Sequence, residues 1–249
     1  MGKDMLNYNQ ILEKLGHKKI SRDELLSEVR KINPDYKEDS LKRSLSRLTK
    51  TGRLIRVSKY NYIQPEYIKK AYSYESMNTT AIAAKACVTS NFPLVDFILY
   101  EMVQLNEFVN HQIGKNTIFI ETEKDAEEAV FERLREEHTS VLYFPKTEDF
   151  YRYSDSDSII IKSLPSRYPK NSLDKHGISI EKLIVDLLAN KIIKNSISRS
   201  DYPDALREMF SKYRVNEMKL FRYATIRRVI KDLDALLNES GINLITRGI

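Results

Sequence analysis

Two segments near the start of the chain carry apolar residues at a spacing that predicts amphipathic helices, i, i+3, i+4 and i+7 in the first and i, i+4 and i+7 in the second. The first covers residues 8–15, and Gly16 stands where a left-handed C-cap ends a helix. The second begins at Ser21, which forms the S-x-x-E capping-box signature with Glu24. Pro34 ends it, because the residue before a proline is disfavoured in the helical conformation.

A third amphipathic helix follows, and it is the most basic part of the chain. Ser40 is its expected N-cap, and Gly52 is expected to end it. Leu41, Leu45 and Leu48 form its apolar stripe, so the opposite face is predicted to face solvent. That face is cationic, with Arg43, Arg47 and Lys50 at i, i+4 and i+7 and with Lys42 and Ser46 beside them.

Two short segments after the third helix are rich in β-branched and aromatic residues, which favours strands at residues 54–57 and 60–63. Ser58 and Lys59 are expected to form the turn between them. Three helices followed by a hairpin is the element order of a winged helix-turn-helix, whose third helix enters the major groove of DNA. The sequence therefore predicts a DNA-binding module that ends near residue 75.

Charge is distributed unevenly along the chain. The whole sequence has a net charge of +6, but residues 1–70 carry 17 Lys or Arg against 9 Asp or Glu, a net charge of +8. The remaining residues carry 24 against 26, a net charge of −2. Seven basic residues occur between Asp39 and Ile63 with no acidic residue among them. Concentrated positive charge favours a polyanionic partner, so the N-terminal part is the predicted DNA-binding part.

The basic residues divide into two kinds of predicted DNA contact. Arg43, Ser46 and Arg47 are the candidates for base edges, since Arg pairs bidentately with guanine and Ser reaches several bases. The alternative is a solvated helix face followed by a soluble hairpin, but the lack of acidic residues and the preceding helices favour DNA binding. The candidates for phosphate contacts are Lys42, Lys50, Arg53, Arg56 and Lys59.

Beyond residue 75 the apolar pattern alternates between strand-like and helix-like stretches. The expected order is strand 94–99, helix 102–109, strand 117–120, helix 125–136, strand 140–144 and strand 158–164. The last part of the chain has helical stripes, including one long predicted helix over residues 220–237. We therefore predict an α+β fold, with a winged helix-turn-helix in residues 1–75 and a larger mixed α/β domain with a helical C-terminal portion in residues 76–249.

Four stretches of the larger predicted domain, together with the winged helix, match the pattern of a known family. They are YEMVQLNEFVNHQ (residues 100–112), TIFIETEKDAEEAVF (117–131), IEKLIVDLLANK (180–191) and YRVNEMKLFRYATIRR (213–228). In these stretches the chain resembles the AbiEi-like family of antitoxins and transcriptional regulators. The similarity spans almost the whole chain.

The resemblance implies a two-part antitoxin of abortive-infection, type IV toxin-antitoxin systems, which act in antiviral defence. Its winged helix would repress its own promoter, and its C-terminal domain would counter a nucleotidyltransferase-like toxin protein. Lys182 and Asp186 fall in a matching stretch, although an intrahelical pair worth a few tenths of a kcal/mol is their simplest interpretation. Arg222, Arg227 and Arg228 are further candidates for binding a partner, with a solvated helix face as the alternative.

A metal-dependent nuclease targeted by the winged helix is the alternative function. Such an enzyme needs carboxylates and a lysine converging on a metal, commonly from a strand that ends in acidic-x-Lys. Glu121, Glu123, Lys124 and Asp125 follow a predicted strand without that spacing, and we expect the acids to complement the dipole of the next helix. Ile160 occupies the acidic position before Lys162, so Asp155 and Asp157 also depart from the pattern. We therefore expect no enzymatic activity, no cofactor and no metal.

The composition indicates a reducing compartment. Cys87 is the single cysteine, which excludes an internal disulfide framework and is expected to be a small apolar core residue. The start of the sequence has no signal-peptide core, and its apolar runs are far shorter than the roughly 20 residues of a membrane span. We expect a cytoplasmic protein without a membrane partner.

Overall fold

A computed structural model describes residues 8–15, 19–56, 58–64, 69–242 and 244. The chain forms two compact units, unit 1 (Met1–Lys69) and unit 2 (Lys70–Ile249). The predicted division near residue 75 lies slightly later in the chain. The predicted cap Gly16 and the last residue of the predicted strand 54–57 lie outside the described residues.

Unit 1 contains three helices and three short strands among its described residues. In chain order they are α1 (Tyr8–Leu15), β1 (Ile20–Ser21), α2 (Arg22–Ile32), α3 (Glu38–Lys50), β2 (Ile55–Arg56) and β3 (Asn61–Ile63). Strand β1 was not predicted. It pairs antiparallel with β3, which lies between β1 and β2 in the sheet.

Local capping signals set the ends of α2 and α3. The capping box is present: Ser21 Oγ accepts from the Glu24 amide at 3.1 Å, and the Ser21 amide donates to Glu24 Oε2 at 2.8 Å. The prediction that Ser40 caps α3 is wrong, because the helix already begins at Glu38 and the Lys37 carbonyl accepts from the Ser40 amide. Gly52 has a φ of +71° just after α3, as the predicted C-cap requires.

The three helices of unit 1 enclose one apolar core. Helix α3 contributes to this core the predicted stripe of Leu41, Leu45 and Leu48, which are all buried. Because these leucines face inward, the opposite side of α3 is exposed along its whole length. The packing therefore presents the cationic face of the helix to solvent, as predicted.

Unit 2 is a mixed α/β unit with a helical C-terminal portion. Its described elements are α4 (Thr79–Asn91), β4 (Phe97–Glu101), a 3-10 helix (Met102–Glu107), β5 (Thr117–Thr122), α5 (Glu127–Arg135), β6 (Val141–Tyr143), α6 (Thr147–Tyr153), β7 (Ser158–Ser163), α7 (Ile180–Ala189), α8 (Lys191–Ser196), a 3-10 helix (Arg199–Asp201), α9 (Tyr202–Lys212), α10 (Glu217–Ile226) and α11 (Ile230–Glu239). The predicted α+β class is confirmed, whereas α4 and α6 were not predicted.

The four strands of unit 2 form one sheet in the order β4-β5-β7-β6. Strand β4 is antiparallel to β5, and β5, β7 and β6 are parallel to one another. One face, including Phe119 and Ile160, packs against the C-terminal helices. The other face, including Ile118 and Ile159, packs against α4 and α5, and the predicted core residue Cys87 is buried there.

The single long helix predicted over residues 220–237 is wrong, since α10 ends at Ile226 and α11 begins at Ile230. Arg228 has a φ of +59° between the two helices. The Val229 amide donates to the Ala224 carbonyl at 2.9 Å, the bond that closes a helix C-terminus of the Schellman type. An arginine therefore occupies a left-handed position that glycine usually takes.

Within the described parts of the chain, no helix combines the length and the apolar character needed to span a membrane.

Arg228→Gly is expected to raise the free energy of unfolding by about 1 kcal/mol, because the left-handed conformation costs an L side chain roughly that amount. Chemical denaturation of the full chain measures the change. Arg222→Gly is the matched control in the exposed interior of α10, where glycine should instead lower stability by about 1 kcal/mol. Equal destabilisation by both substitutions would contradict the break at Arg228.

Candidate functional site

The first candidate site is a groove in unit 1 between α3 and the β2–β3 hairpin, with a volume of about 410 Å³. Five of its lining side chains are basic and none is acidic. This unit 1 groove is lined by Arg22, Lys42, Leu45, Ser46, Thr49, Lys50, Arg56, Lys59, Tyr60 and Tyr62.

Helix α3 contributes three of its predicted DNA contacts to one wall of the unit 1 groove. Lys42, Ser46 and Lys50 all line it and are all exposed. Lys42 Nζ lies 3.0 Å from Asp39 Oδ1, in an exposed ion pair. Such exposed pairs contribute little stability, so Lys42 can exchange this carboxylate for another anion at small cost.

Arg43 and Arg47 are exposed but do not line the unit 1 groove. They lie on the flank of α3 that adjoins Lys50, because residues four apart fall on one side of a helix. Arg43 contacts its own helix through the Asp39 carbonyl and the Ser40 hydroxyl, both at 3.4 Å. The cationic surface of α3 is therefore wider than the groove alone.

The hairpin supplies the second wall of the unit 1 groove. Arg56 Nε donates to the Ser58 carbonyl at 3.1 Å, and its Nη2 donates to the Lys59 carbonyl at 2.7 Å. Arg56 thus has a structural role that was not predicted, since it holds the turn in place while its charge stays exposed. Lys59 Nζ lies 5.1 Å from the centre of the Tyr60 ring, and Arg53 is exposed but outside the lining.

Four lining residues of polar or aromatic character were not predicted, namely Arg22, Thr49, Tyr60 and Tyr62. Arg22 pairs with Glu38 at the first turn of α3. Tyr60 keeps about half of its surface exposed (51%), which is unusual for so large a ring. The available signal for the tyrosines was their spacing, because residues two apart in a strand lie on the same face and Tyr60 and Tyr62 are two apart.

The second candidate site is a group of buried charges in unit 2, here called the buried charge cluster: Glu121, Lys182, Asp186 and Arg227. Lys182 and Asp186 are four residues apart in α7 and pair with side chains that are 0% exposed. Lys182 Nζ also lies 2.9 Å from Glu121 Oε2 of β5. Arg227 Nη1 donates to Asp186 Oδ1 at 2.7 Å. The cluster therefore links β5, α7 and the segment after α10.

Two tyrosine rings complete the surroundings of Lys182. Its Nζ lies 5.4 Å from the centre of the Tyr100 ring and 5.7 Å from that of Tyr223, within the range of cation–π attraction. The Tyr100 hydroxyl donates to Glu121 Oε1 at 2.9 Å, and the Tyr223 hydroxyl accepts from Arg227 Nη1 at 2.9 Å. Burial, and then the charge of Asp186, raises the pKa of Tyr223 to about 12, so its hydroxyl stays protonated at neutral pH.

The electrostatics of the buried charge cluster keep its basic groups charged. Burial opposes the charge of Lys182, but Asp186 and Glu121 together outweigh it and raise the pKa of the ammonium group above its ordinary value. Burial likewise opposes the charge of Arg227, but Asp186, Tyr223 and Glu121 together outweigh it and raise the pKa of the guanidinium group above its ordinary value. Each charge therefore depends on partners that are themselves buried.

The burial of these residues corrects two interpretations of the sequence. The pair Lys182–Asp186 is intrahelical as expected, but it is fully enclosed and cannot itself contact a protein partner. Arg227 is not on a solvated helix face either, because its side chain is only 22% exposed and bonded to Asp186. Of the predicted partner contacts, Arg222 and Arg228 remain on the exposed surface.

The residues considered for a nuclease do not lie together, because Glu121 is buried in a strand and the others follow it or belong to another loop. Glu121 lies inside β5 and not at the start of α5, so its assignment to the dipole of the next helix is wrong. Glu123 and Lys124 are exposed after the strand, and the Asp125 amide donates to Glu127 Oε2. Asp157 accepts from Asn116 Nδ2 at 2.9 Å. In the parts of the chain that are described, no three His, Cys, Asp or Glu residues group as a metal site.

Glu121 and Lys162 are brought together across the sheet. They are register partners in the parallel pair β5 and β7, so their side chains point to the same face. Both line a pocket of about 520 Å³, together with Arg227. Burial lowers the pKa of Lys162, against the opposing effect of Glu121 and Asp186.

Asp186→Ala is expected to lower the free energy of unfolding by about 3–5 kcal/mol, because it leaves Lys182 and Arg227 as buried charges without their main partner. Denaturant unfolding measures the loss. Asp204→Ala is the control, since Asp204 forms an exposed pair with Arg207 and should contribute at most about 1 kcal/mol. A similar small loss for both variants would refute the enclosure of the cluster.

The family of the chain follows from its match to a family model. No curated protein matches the chain. Among solved structures, the crystal structure of the RV2827C protein from Mycobacterium tuberculosis covers 95% of this chain and 82% of its own at 10% identity, with a TM-score of 0.31 that supports no inference. A model described as a family of unknown function, DUF6577, matches residues 40–243, a range that includes most of α3, the β2–β3 hairpin and nearly all of unit 2. The protein therefore belongs to the DUF6577 family.

Proposed function

We propose that the protein is a DNA-binding transcriptional regulator and that unit 1 is its winged helix-turn-helix. The observation that carries the proposal is the unit 1 groove, whose lining holds five basic side chains and no acidic one, with two of the basic residues from α3, two from the hairpin and one, Arg22, from α2. A duplex presents phosphates on both sides of its major groove, so a cationic helix beside a cationic hairpin suits it.

The roles within this surface follow from where each side chain lies. Arg43, Ser46 and Arg47 are on the exposed side of α3, the helix that enters the major groove in such modules, and are the proposed base contacts. The proposed phosphate contacts are the groove residues Lys42, Lys50, Arg56 and Lys59, together with the exposed Arg53 outside the lining. Tyr60 adds an exposed ring and hydroxyl to the same surface.

The finer part of the proposal rests on the resemblance to AbiEi-like proteins. On that basis the protein is a cytoplasmic antitoxin that represses its own promoter, and unit 2 counters a nucleotidyltransferase-like toxin in antiviral defence. The exposed residues Arg222 and Arg228 are the remaining candidates for the toxin contact. A toxin gene beside this one, whose toxicity the full chain suppresses, is the observation that this part requires.

The nuclease alternative receives less support from the geometry. Glu121 is held by Lys182 and Tyr100, so its carboxylate is already engaged inside unit 2. The exposed Glu123 and Asp125 lie beyond the end of β5. We therefore propose a binding function and not a metal-dependent reaction.

Lys42→Ala with Lys50→Ala is expected to weaken binding to duplex DNA from the protein's own promoter. Each lost phosphate contact should reduce the slope of log K against log salt concentration by about 0.9, so the double variant should lose roughly 2 units of slope.

Arg43→Ala with Arg47→Ala should instead reduce the preference for the promoter over an unrelated duplex, by about 1–3 kcal/mol per lost base contact. Fluorescence anisotropy over a salt series measures both.

Lys14→Ala with Lys31→Ala is the matched control, because it removes the same charge from two lysines that pair with Glu28 outside the groove. It should keep both the salt slope and the promoter preference. Unchanged promoter affinity at moderate salt in both the groove variant and the Arg43 and Arg47 variant would eliminate the DNA-binding proposal.

A further inference from the structure

The pocket beside the buried charge cluster lies at the carboxyl ends of the parallel strands of unit 2. Its lining includes Glu121 near the end of β5, Lys162 and Ser163 at the end of β7, and residues 145–148 after β6. We call it the strand-end pocket. Its volume of about 520 Å³ is within the usual range for small-molecule sites.

The sheet topology gives this position a functional meaning. After β5 the chain continues into α5, which packs on one face of the sheet. After β7 it continues towards α7, which packs on the opposite face. Adjacent parallel strands whose connections leave to opposite faces open a crevice between them, and ligands of open α/β sheets bind in such crevices.

The charge of the strand-end pocket favours an anion. Four basic side chains line it, Lys146, Lys162, Lys191 and Arg227, against two carboxylates, Glu121 and Glu148. Glu121 is paired with Lys182 behind the pocket wall, which further reduces the negative charge that a ligand meets.

Two polar groups at the pocket have unused bonding capacity within the described part of the chain. Lys162 has no hydrogen bond or ion pair there, although it is half-buried. Arg227 uses only Nη1, for Asp186 and Tyr223, which leaves Nε and Nη2 as donors. Donors that are withdrawn from water usually have a hydrogen-bond partner, and an anionic ligand would provide one for both residues.

We propose that the strand-end pocket binds the phosphate group of a phosphate monoester. Lys162 and the free donors of Arg227 bind the phosphate oxygens. The compact charge of the lysine and the planar guanidinium group of the arginine together suit a tetrahedral anion. The site is separate from the unit 1 groove, so it goes beyond the proposed DNA binding.

Calorimetric titration of the full-length protein tests the proposal with 5′-AMP as the probe and adenosine as its phosphate-free match. AMP is expected to bind and adenosine not to bind. Lys162→Met should weaken AMP binding on the order of tenfold or more, since a charge-assisted hydrogen bond is lost. Lys162→Arg should retain part of the affinity. Lys231→Met is the control, an exposed lysine of α11 outside the pocket, and should bind AMP like the wild type.

Two further measurements make the result decisive. The thermal midpoint of Lys162→Met should equal or exceed that of the wild type, because the substitution replaces an unpaired half-buried charge with an apolar chain of similar length.

A 5′-phosphorylated tetranucleotide and its unphosphorylated form identify the source of the phosphate. Binding of AMP supports a free ester, and binding of the phosphorylated oligonucleotide alone supports a nucleic-acid end. Failure of both probes, equal binding of the phosphate-free forms, or unchanged affinity in Lys162→Met overturns the proposal.

Discussion

The buried ammonium group of Lys182 is the constraint around which unit 2 is organised. It lies in α7 with 0% exposure and pairs with Glu121 of β5 and with Asp186 of its own helix. Asp186 in turn holds Arg227 after α10. An apolar core tolerates small shifts between its layers, but a buried charge requires its partners at bonding distance. We infer that the cluster fixes how the sheet and the C-terminal helices align.

The same cluster shapes the strand-end pocket. Asp186 and Tyr223 both accept from Nη1 of Arg227, and the arginine lines the pocket together with Lys162. The cluster therefore links stability and binding, since it orients a side chain that would otherwise extend into water. Burying the charge of Arg227 costs free energy, and the same residue lines a pocket that has room for an anion.

The two units use charge in opposite ways. In unit 1 the basic side chains of α3 and the hairpin are exposed, contribute little to stability, and are available to a large polyanion. In unit 2 the charges of the buried charge cluster are enclosed and paired with one another, and Lys162 and Arg227 at the strand-end pocket are half-buried, which suits a small ligand of defined shape. This contrast agrees with the uneven distribution of charge along the chain.

Local sequence determined much of unit 1. The capping box at Ser21, the leucine stripe of α3 and the left-handed Gly52 all depend on residues close together in the chain, so their spacing predicted them. Ser40 was misassigned as a cap because the acidic residues before it can also begin a helix. Helix α4 was missed because its buried face is made of small residues such as Ala81 and Ala84.

What only the tertiary structure decided depends on residues far apart in sequence. Spacing alone predicted that Lys182 and Asp186 pair, but it could not show that they are enclosed, since burial depends on what the sheet and α10 place around them. The same holds for Glu121 and Lys162, which are 41 positions apart in sequence but are register partners in β5 and β7. It also holds for the break at Arg228, which no glycine or proline marks. The sequence by itself determined many of the helices and strands, the α+β class and the cationic face of α3, because these arise from short-range periodicity and charge.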